Sequence, residues 1–366
     1  MIFSVLQADL INHLQGVARS CGVRPQLPVL GNILLSVEAG KLKLSATNLE
    51  IGVVKLLTVE IEEEGEVTVP AKTLVEVVGN LSGEKLIFES SAEVLTIKST
   101  HFTSSMNGIN PSEFPQIPLQ GKEVVRLSPK TLVSSLPRVM FAAASDEGRP
   151  VLTGILTELK DSKLELVATD GYRLAHQSIP VDNTAVFRAL IPKRTLEEIS
   201  RLLSEEEADE VAISVSEDQN QIIFSFGTTQ LSSRLIEGSY PAWEKIIPQS
   251  FKSRIILNKT EGLKALKLAS VFSRTEANIV KLSCSEGKMI VASQAKELGS
   301  QSYELEVQFE GEDIEISFNT KFLTDALSAV GSTQVIIELS GTLSAASIKP
   351  MGEVGLEYIV MPVNLN

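Results

Sequence analysis

The chain has 366 residues, enough for two or three hydrophobic cores rather than one. Its formal net charge of -13 argues against broad attraction to nucleic acid, because phosphate binding is driven by Lys and Arg displacing counterions. No apolar run reaches the roughly 18 residues of a membrane helix, and the start MIFSVLQADL has no basic region and carries Asp9 where a signal peptide stays apolar, so a soluble chain kept in the cytoplasm is expected.

A helix is expected over 6–19, within LQADLINHLQGVARSC, where apolar residues recur at helical spacing behind a polar entry. Next come a strand pair, LGNILLSVEAGKLKLSATN, turning at Glu38-Ala39-Gly40, and VTVPAKTLVEVVGNL, a strand running into a second helix over 72–81. SEFPQIP closes the unit. The same order then recurs. LSPKTLVSSLPRVMFAAAS predicts a helix over 128–144, LTGILTELKDSKLELVATD a hairpin at Lys160-Asp161-Ser162, and ALIPKRTLEEISRLL a strand and a helix over 193–203, before GSYPAWEKIIP. It recurs once more in LNKTEGLKALKLASVFSR (helix 257–274), NIVKLSCSEGKMIVASQ (turn at Glu286-Gly287), ISFNTKFLTDALSAV (helix 321–330) and YIVMPVNL.

Spacing separates repetition from coincidence. Thr47 to Thr169 is 122 positions and so is Pro70 to Pro192, whereas Leu132 to Leu263 is 131 and Arg194 to Lys321 is 127. Three α+β domains of one topology follow, at 1–121, 122–249 and 250–366, with boundaries at the polar stretches near Gly121 and Gln249. A tandem array ends in polar caps, extends as a filament or closes as a ring. Met106 and Ile109 in the first unit, and Val271 and Phe272 in the third, put apolar residues at both plausible ends, which favours closure, although each also fits ordinary core packing.

Six helices per chain make twelve in a dimer. Side by side at about 10 Å each they would enclose a hole of roughly 28 Å, wide enough for a B-form duplex. The helices as predicted carry a net charge of +6 against -13 for the whole chain, so the remainder is strongly acidic. A mildly basic lining inside an acidic shell suits loose, sequence-blind phosphate contact. Solvated helix faces would produce the same count.

The segments RPQLPVLGNILL (Arg24 to Leu35), LVATDGYRLA (Leu166 to Ala175), SYPAWEKIIP (Ser239 to Pro248) and YIVMPVNL (Tyr358 to Leu365) occur in an order and spacing that resemble, over essentially the whole length, the bacterial DNA polymerase III beta subunit family of sliding clamps. The resemblance implies a DNA clamp fold: three tandem clamp-type domains, and a head-to-tail homodimer ring with sheets outside and helices lining the channel. It implies a processivity factor in DNA replication, non-catalytic and without cofactor or metal, that encircles duplex DNA and associates with the nucleoid rather than any membrane. It also implies a hydrophobic pocket between the second and third domains for short peptides of polymerase, clamp loader and other partners, usually with a Gln followed by Leu and Phe. By correspondence that pocket would take Leu152, then Thr169, Gly171, Tyr172 and Leu174, then Pro241 and Ile246, and finally Ile359, Met361, Pro362 and Val363. Tyr172 stands where His is common and Asn364 where a basic residue is frequent, which points to an altered peptide preference. DNA contacts would fall to Arg24, Lys72, Arg149, Lys193 and Arg194, with Pro150 and Val151 where some relatives have aromatic residues. The subunit contact would pair Ser104 and Met106 with Val271 and Phe272.

Enzymatic alternatives lack their residues. GNLSGEKL (Gly79 to Leu86) has the wrong spacing for a phosphate loop and no Ser or Thr after Lys85. His13, His101 and His176 are dispersed, Cys21 and Cys284 lie 263 positions apart without metal-ligand spacing, and Asp170-Gly171 after a strand reads as a turn. A peptide-binding scaffold that never threads DNA is the other reading, supported by the acidity.

Overall fold

Each expected hairpin turns through two residues of positive φ: Ala39 and Gly40 (48° and 81°), Asp161 and Ser162 (53° and 58°), Glu286 and Gly287 (49° and 78°). Two left-handed residues form the tight turn whose twist matches the right-handed twist of the flanking strands. The strands are Asn32–Glu38 with Lys41–Thr47, Gly154–Lys160 with Lys163–Thr169, and Ile279–Ser285 with Lys288–Ala295, all antiparallel. A computed structural model describes residues 1–22, 25–81, 83–146, 148–183, 185–274 and 277–364.

The described residues contain the six expected helices: α1 (Gln7–Ala18), α2 (Ala71–Asn80), α3 (Pro129–Met140), α4 (Lys193–Glu205), α5 (Lys259–Ser273) and α6 (Thr320–Ala329). Helix α3 stops short of the expected 144. Beyond Pro137 the amides of Ala142 and Ala143 bond to Val139 and Met140, three residues back, and the Ala144 amide goes to the Leu152 carbonyl instead, drawing the chain off the helix axis.

By backbone proximity the chain divides into two compact units, Met1–Lys130 with Glu198–Leu235, and Thr131–Glu197 with Ile236–Asn366. The division passes through the middle repeat. In the first unit Thr229–Arg234 pairs with Ile51–Thr58, so strands of the middle repeat complete an eight-stranded sheet begun by the first. A separate five-stranded sheet ends on the open edge of Thr103–Asn107. In the second unit Arg173–Pro180 pairs with Leu356–Val360 inside a nine-stranded sheet, beside a four-stranded one.

Within each unit helices pack against the sheets. In the first unit α1 buries Leu10, Leu14 and Val17, and α2 buries Leu74 and Val78. In the second, α5 buries Ala265, Leu266 and Ala269 and packs on α6 through Leu323, Ala326 and Leu327. Gly262 permits that approach, since a Cβ there would lie 2.5 Å from Leu257 Cδ1 and 3.1 Å from Leu327 Cδ2. Each fully buried aliphatic side chain contributes about 1.5–3 kcal/mol. Asn258 starts α5 by accepting from the amides of Thr260 and Glu261.

Candidate functional site

Strand Lys163–Thr169 passes into Arg173–Pro180 through a turn held by its own side chains. Thr169 Oγ1 donates to the Arg173 carbonyl (2.6 Å) and accepts from the Gly171 amide (3.0 Å), while Asp170 Oδ1 accepts from the amides of Tyr172 (2.9 Å) and Arg173 (3.0 Å). Thr169 therefore shapes the turn from a buried position. Its hydroxyl is spent internally rather than offered to a ligand. Gly171 has φ +93°, and a Cβ on it would sit 2.9 Å from the Arg149 guanidinium. Arg149 Nη2 donates to the Asp170 carbonyl at 2.9 Å, so this cation, expected at DNA, braces the turn.

Beyond the turn, Leu174 lies opposite Ile359 in the antiparallel ladder, and the Met361 amide donates to the Tyr172 carbonyl at 2.9 Å. Leu152, Leu174 and Ile359 are buried in one cluster with Val167, Tyr240 and Trp243. Pro241, Ile246 and Met361 are exposed, as is Tyr172 at 63%, while Pro362 and Val363 are half-buried, with the Val363 amide bonded to the Ser317 carbonyl. The correspondence thus names two kinds of residue: buried aliphatic ones that share a cluster, and apolar ones exposed or half-buried at the surface. Apolar side chains with a flexible Met among them are chemically suited to contact with other apolar groups.

Residues that sequence reasoning missed complete this cluster. Tyr240, Trp243 and Ala345 belong to the cluster, and Val151, Ile236 and Ile247 pack against it. Most lie within or beside SYPAWEKIIP; Ala345 follows a turn and carried no signal. Arg173 was also missed. It is 9% exposed, with Nε 3.0 Å from Asp170, Nη1 2.6 Å from Asp325, Nη2 donating to the Phe141 carbonyl at 2.8 Å, and its guanidinium 4.6 Å from the Phe322 ring centre. His176 Nε2 is 2.6 Å from Glu165, and its ring lies against Trp243, centroids 4.5 Å apart and planes tilted by 36°. Burial pushes the Glu165 carboxyl up, yet the bonds from His176 and Ser178 hold it below the usual carboxylate range. Burial raises the Tyr240 hydroxyl well above its ordinary value.

The other expected residues are dispersed. Arg24 lies outside the described residues. Lys72 is exposed on α2 within ion-pair reach of Glu76 (4.0 Å), Lys193 is half-buried on α4 beside Glu197 (3.8 Å), and Arg194 is exposed. With the observed bounds the helices carry +3 rather than +6: Arg19 and Arg274 are C-cap residues outside α1 and α5, and α4 runs on to Glu205. Among the described residues Lys130, Arg194, Lys267 and Arg274 form no ion pair, whereas Lys259 caps α6 through the carbonyls of Ser328 and Val330. Met106, expected at a subunit contact, is instead a core residue, 6% exposed opposite Leu95, because alternate residues of its strand face inward. Ser104 is half-buried on the same edge strand, Phe272 is half-buried, and Val271 stands 54% exposed on α5. Among the described residues no three His, Cys, Asp or Glu side chains are placed to hold a metal ion.

Three family models match consecutively: DNA polymerase III beta subunit, N-terminal domain over residues 1–118, central domain over 126–242 and C-terminal domain over 244–364. The beta sliding clamp of Synechococcus elongatus is 32% identical over 98% of both chains. The DNA polymerase III subunit beta of Pseudomonas aeruginosa superposes with a TM-score of 0.95 at 28% identity, and the sliding clamp of Bacillus subtilis with 0.96 at 25%, each over the full length of both chains.

Proposed function

Because the chain belongs to the DNA polymerase III beta subunit family and is a DNA sliding clamp, we propose that two copies close head to tail into a ring that encircles duplex DNA and tethers the replicative polymerase and other replication proteins through the Leu174–Ile359 site. The observation that carries this reading is the run of three successive clamp domains within one chain. The open edge of Thr103–Asn107 and the exposed Leu268 and Val271 on α5 support a contact between the first repeat of one copy and the third of the other. Buried aliphatic residues in one cluster and exposed apolar residues, a flexible Met among them, support a groove for short linear peptides, including those of a clamp loader.

The ring acts by topology rather than catalysis. Sequence-independent contact requires few positive charges, and the cations without ion pairs on α3, α4 and α5 supply them weakly enough to permit sliding. Work in the cytoplasm, at the nucleoid, follows from that role.

Retention on plasmid tests the reading. After loading by a clamp loader, protein that remains on a circle through gel filtration and runs off once the plasmid is linearised is encircling it. Equal retention on both forms would leave a peptide-binding scaffold in its place.

A further inference from the structure

The turn that builds the Leu174–Ile359 site has a copy 122 positions earlier. Thr47 Oγ1 donates to the Ile51 carbonyl (3.0 Å) and accepts from the Leu49 amide (3.0 Å), and Asn48 Oδ1 accepts from the amides of Glu50 (3.0 Å) and Ile51 (2.8 Å). The Arg234 amide donates to the Glu50 carbonyl at 2.9 Å, as the Met361 amide does to Tyr172. Gly52 lies opposite Ser232 as Leu174 lies opposite Ile359.

A groove of about 330 Å³ opens at this copy, within the range of ligand pockets. Its lining follows the other site position by position, with the chemistry changed: Leu49 for Gly171, Glu50 for Tyr172, Gly52 for Leu174, Ser232 for Ile359 and Arg234 for Met361. Ile117 replaces the missing leucine, since a Cβ on Gly52 would lie 2.5 Å from its Cγ2. The linker thus restores an apolar floor. Leu49 is held at φ +75° and is 51% exposed at the rim, a left-handed conformation that is strained for a residue with a Cβ and that functional sites tend to keep.

We propose that this groove is a second peptide-binding site, taking a short extended segment with one aliphatic side chain beside an acidic one. The inference rests on reading the Leu174–Ile359 site as a peptide groove, because the shared backbone geometry is what identifies the ligand class. Leu49, Pro115, Ile117 and Pro118 receive the aliphatic side chain, and Gln116 and Gln221 are placed to hydrogen-bond the segment. The Arg234 guanidinium is exposed and forms no ion pair among the described residues, so it is available to a carboxylate. Glu50, at the same rim, repels that carboxylate and fixes the direction in which the segment lies.

The full-length protein carrying methyl labels on Ile and Met tests this by NMR. The probe is an acetylated, amidated tetrapeptide Ser-Leu-Asp-Ser, its control has Lys for Asp, and a separate pentapeptide carrying Gln, Leu and Phe reports on the other site. The tetrapeptide is expected to shift the Ile117 methyls, the control to bind at least tenfold more weakly, and Arg234→Glu to weaken the tetrapeptide at least tenfold while the Met361 response to the pentapeptide stays unchanged. Ile117 methyls that stay still at millimolar tetrapeptide, or that respond equally to the control or in Arg234→Glu, overturn the second site. A Met361 methyl silent to the pentapeptide overturns the first site instead, and a moving Ile117 would then support the groove on its own evidence.

Discussion

Arg173 carries its charge at 9% exposure, and its partners explain how: two carboxylates, a carbonyl and an aromatic face occupy every side of the guanidinium. Arg173→Ala leaves Asp170 and Asp325 without that partner and is expected to lower stability by about 3 kcal/mol, seen as a reduced urea midpoint. Lys321, 2.6 Å from Asp325, limits the loss. Glu165 governs a pH dependence at the same site. Its carboxyl is held below the ordinary range by His176 and Ser178, so its contribution is present above the unfolded-state value near 4.3 and fades as pH falls through the native one. Between pH 6 and pH 3 the parent is expected to lose more of its urea midpoint than Glu165→Gln; equal losses would assign the effect elsewhere. Burial pushes the thiols of Cys21 and Cys284 up to about 12, consistent with packing roles rather than reactivity.

At the scale of elements, periodicity located all six helices and the three hairpins because both signals are local: a helical face repeats every 3.6 residues, and a tight turn needs residues that accept positive φ. The end of α3 was not legible, since its last turn is decided by the Leu152 carbonyl, which captures the Ala144 amide from eight residues further on. Caps were partly legible. Asn258 satisfies two amides at the start of α5, and Asn258→Ala is expected to cost about 1 kcal/mol, read as a lower melting temperature for unfolding of the second unit. The candidate site was expected only through the resemblance, not through periodicity or spacing; Arg173, although inside one of the four segments, and Ala345 were not singled out, because their importance depends on which side chains meet them.

For the whole molecule, the sequence repeat and the compact unit differ. Thr229–Arg234 pairs with Ile51–Thr58, and Leu356–Val360 with Arg173–Pro180, so neighbouring repeats share sheets through backbone hydrogen bonds. Closure is tested at α5, where Val271 is 54% exposed. Val271→Asp is expected to leave the melting profile of the isolated chain unchanged and to raise the dimer dissociation constant at least tenfold by sedimentation; an unaltered dimer would move the contact elsewhere.

The amino-acid sequence by itself determined the element order, the threefold repetition and the turn at Asp170-Gly171, because each depends on residues near in the chain or on exact spacing. Tertiary structure alone decided that Met106 faces inward, that Arg149 braces a turn, and that Ile117 fills the place of a leucine beside Gly52. Those outcomes depend on which face of a strand meets the core and on which distant atoms compete for one donor or one volume, and neither is written in local spacing.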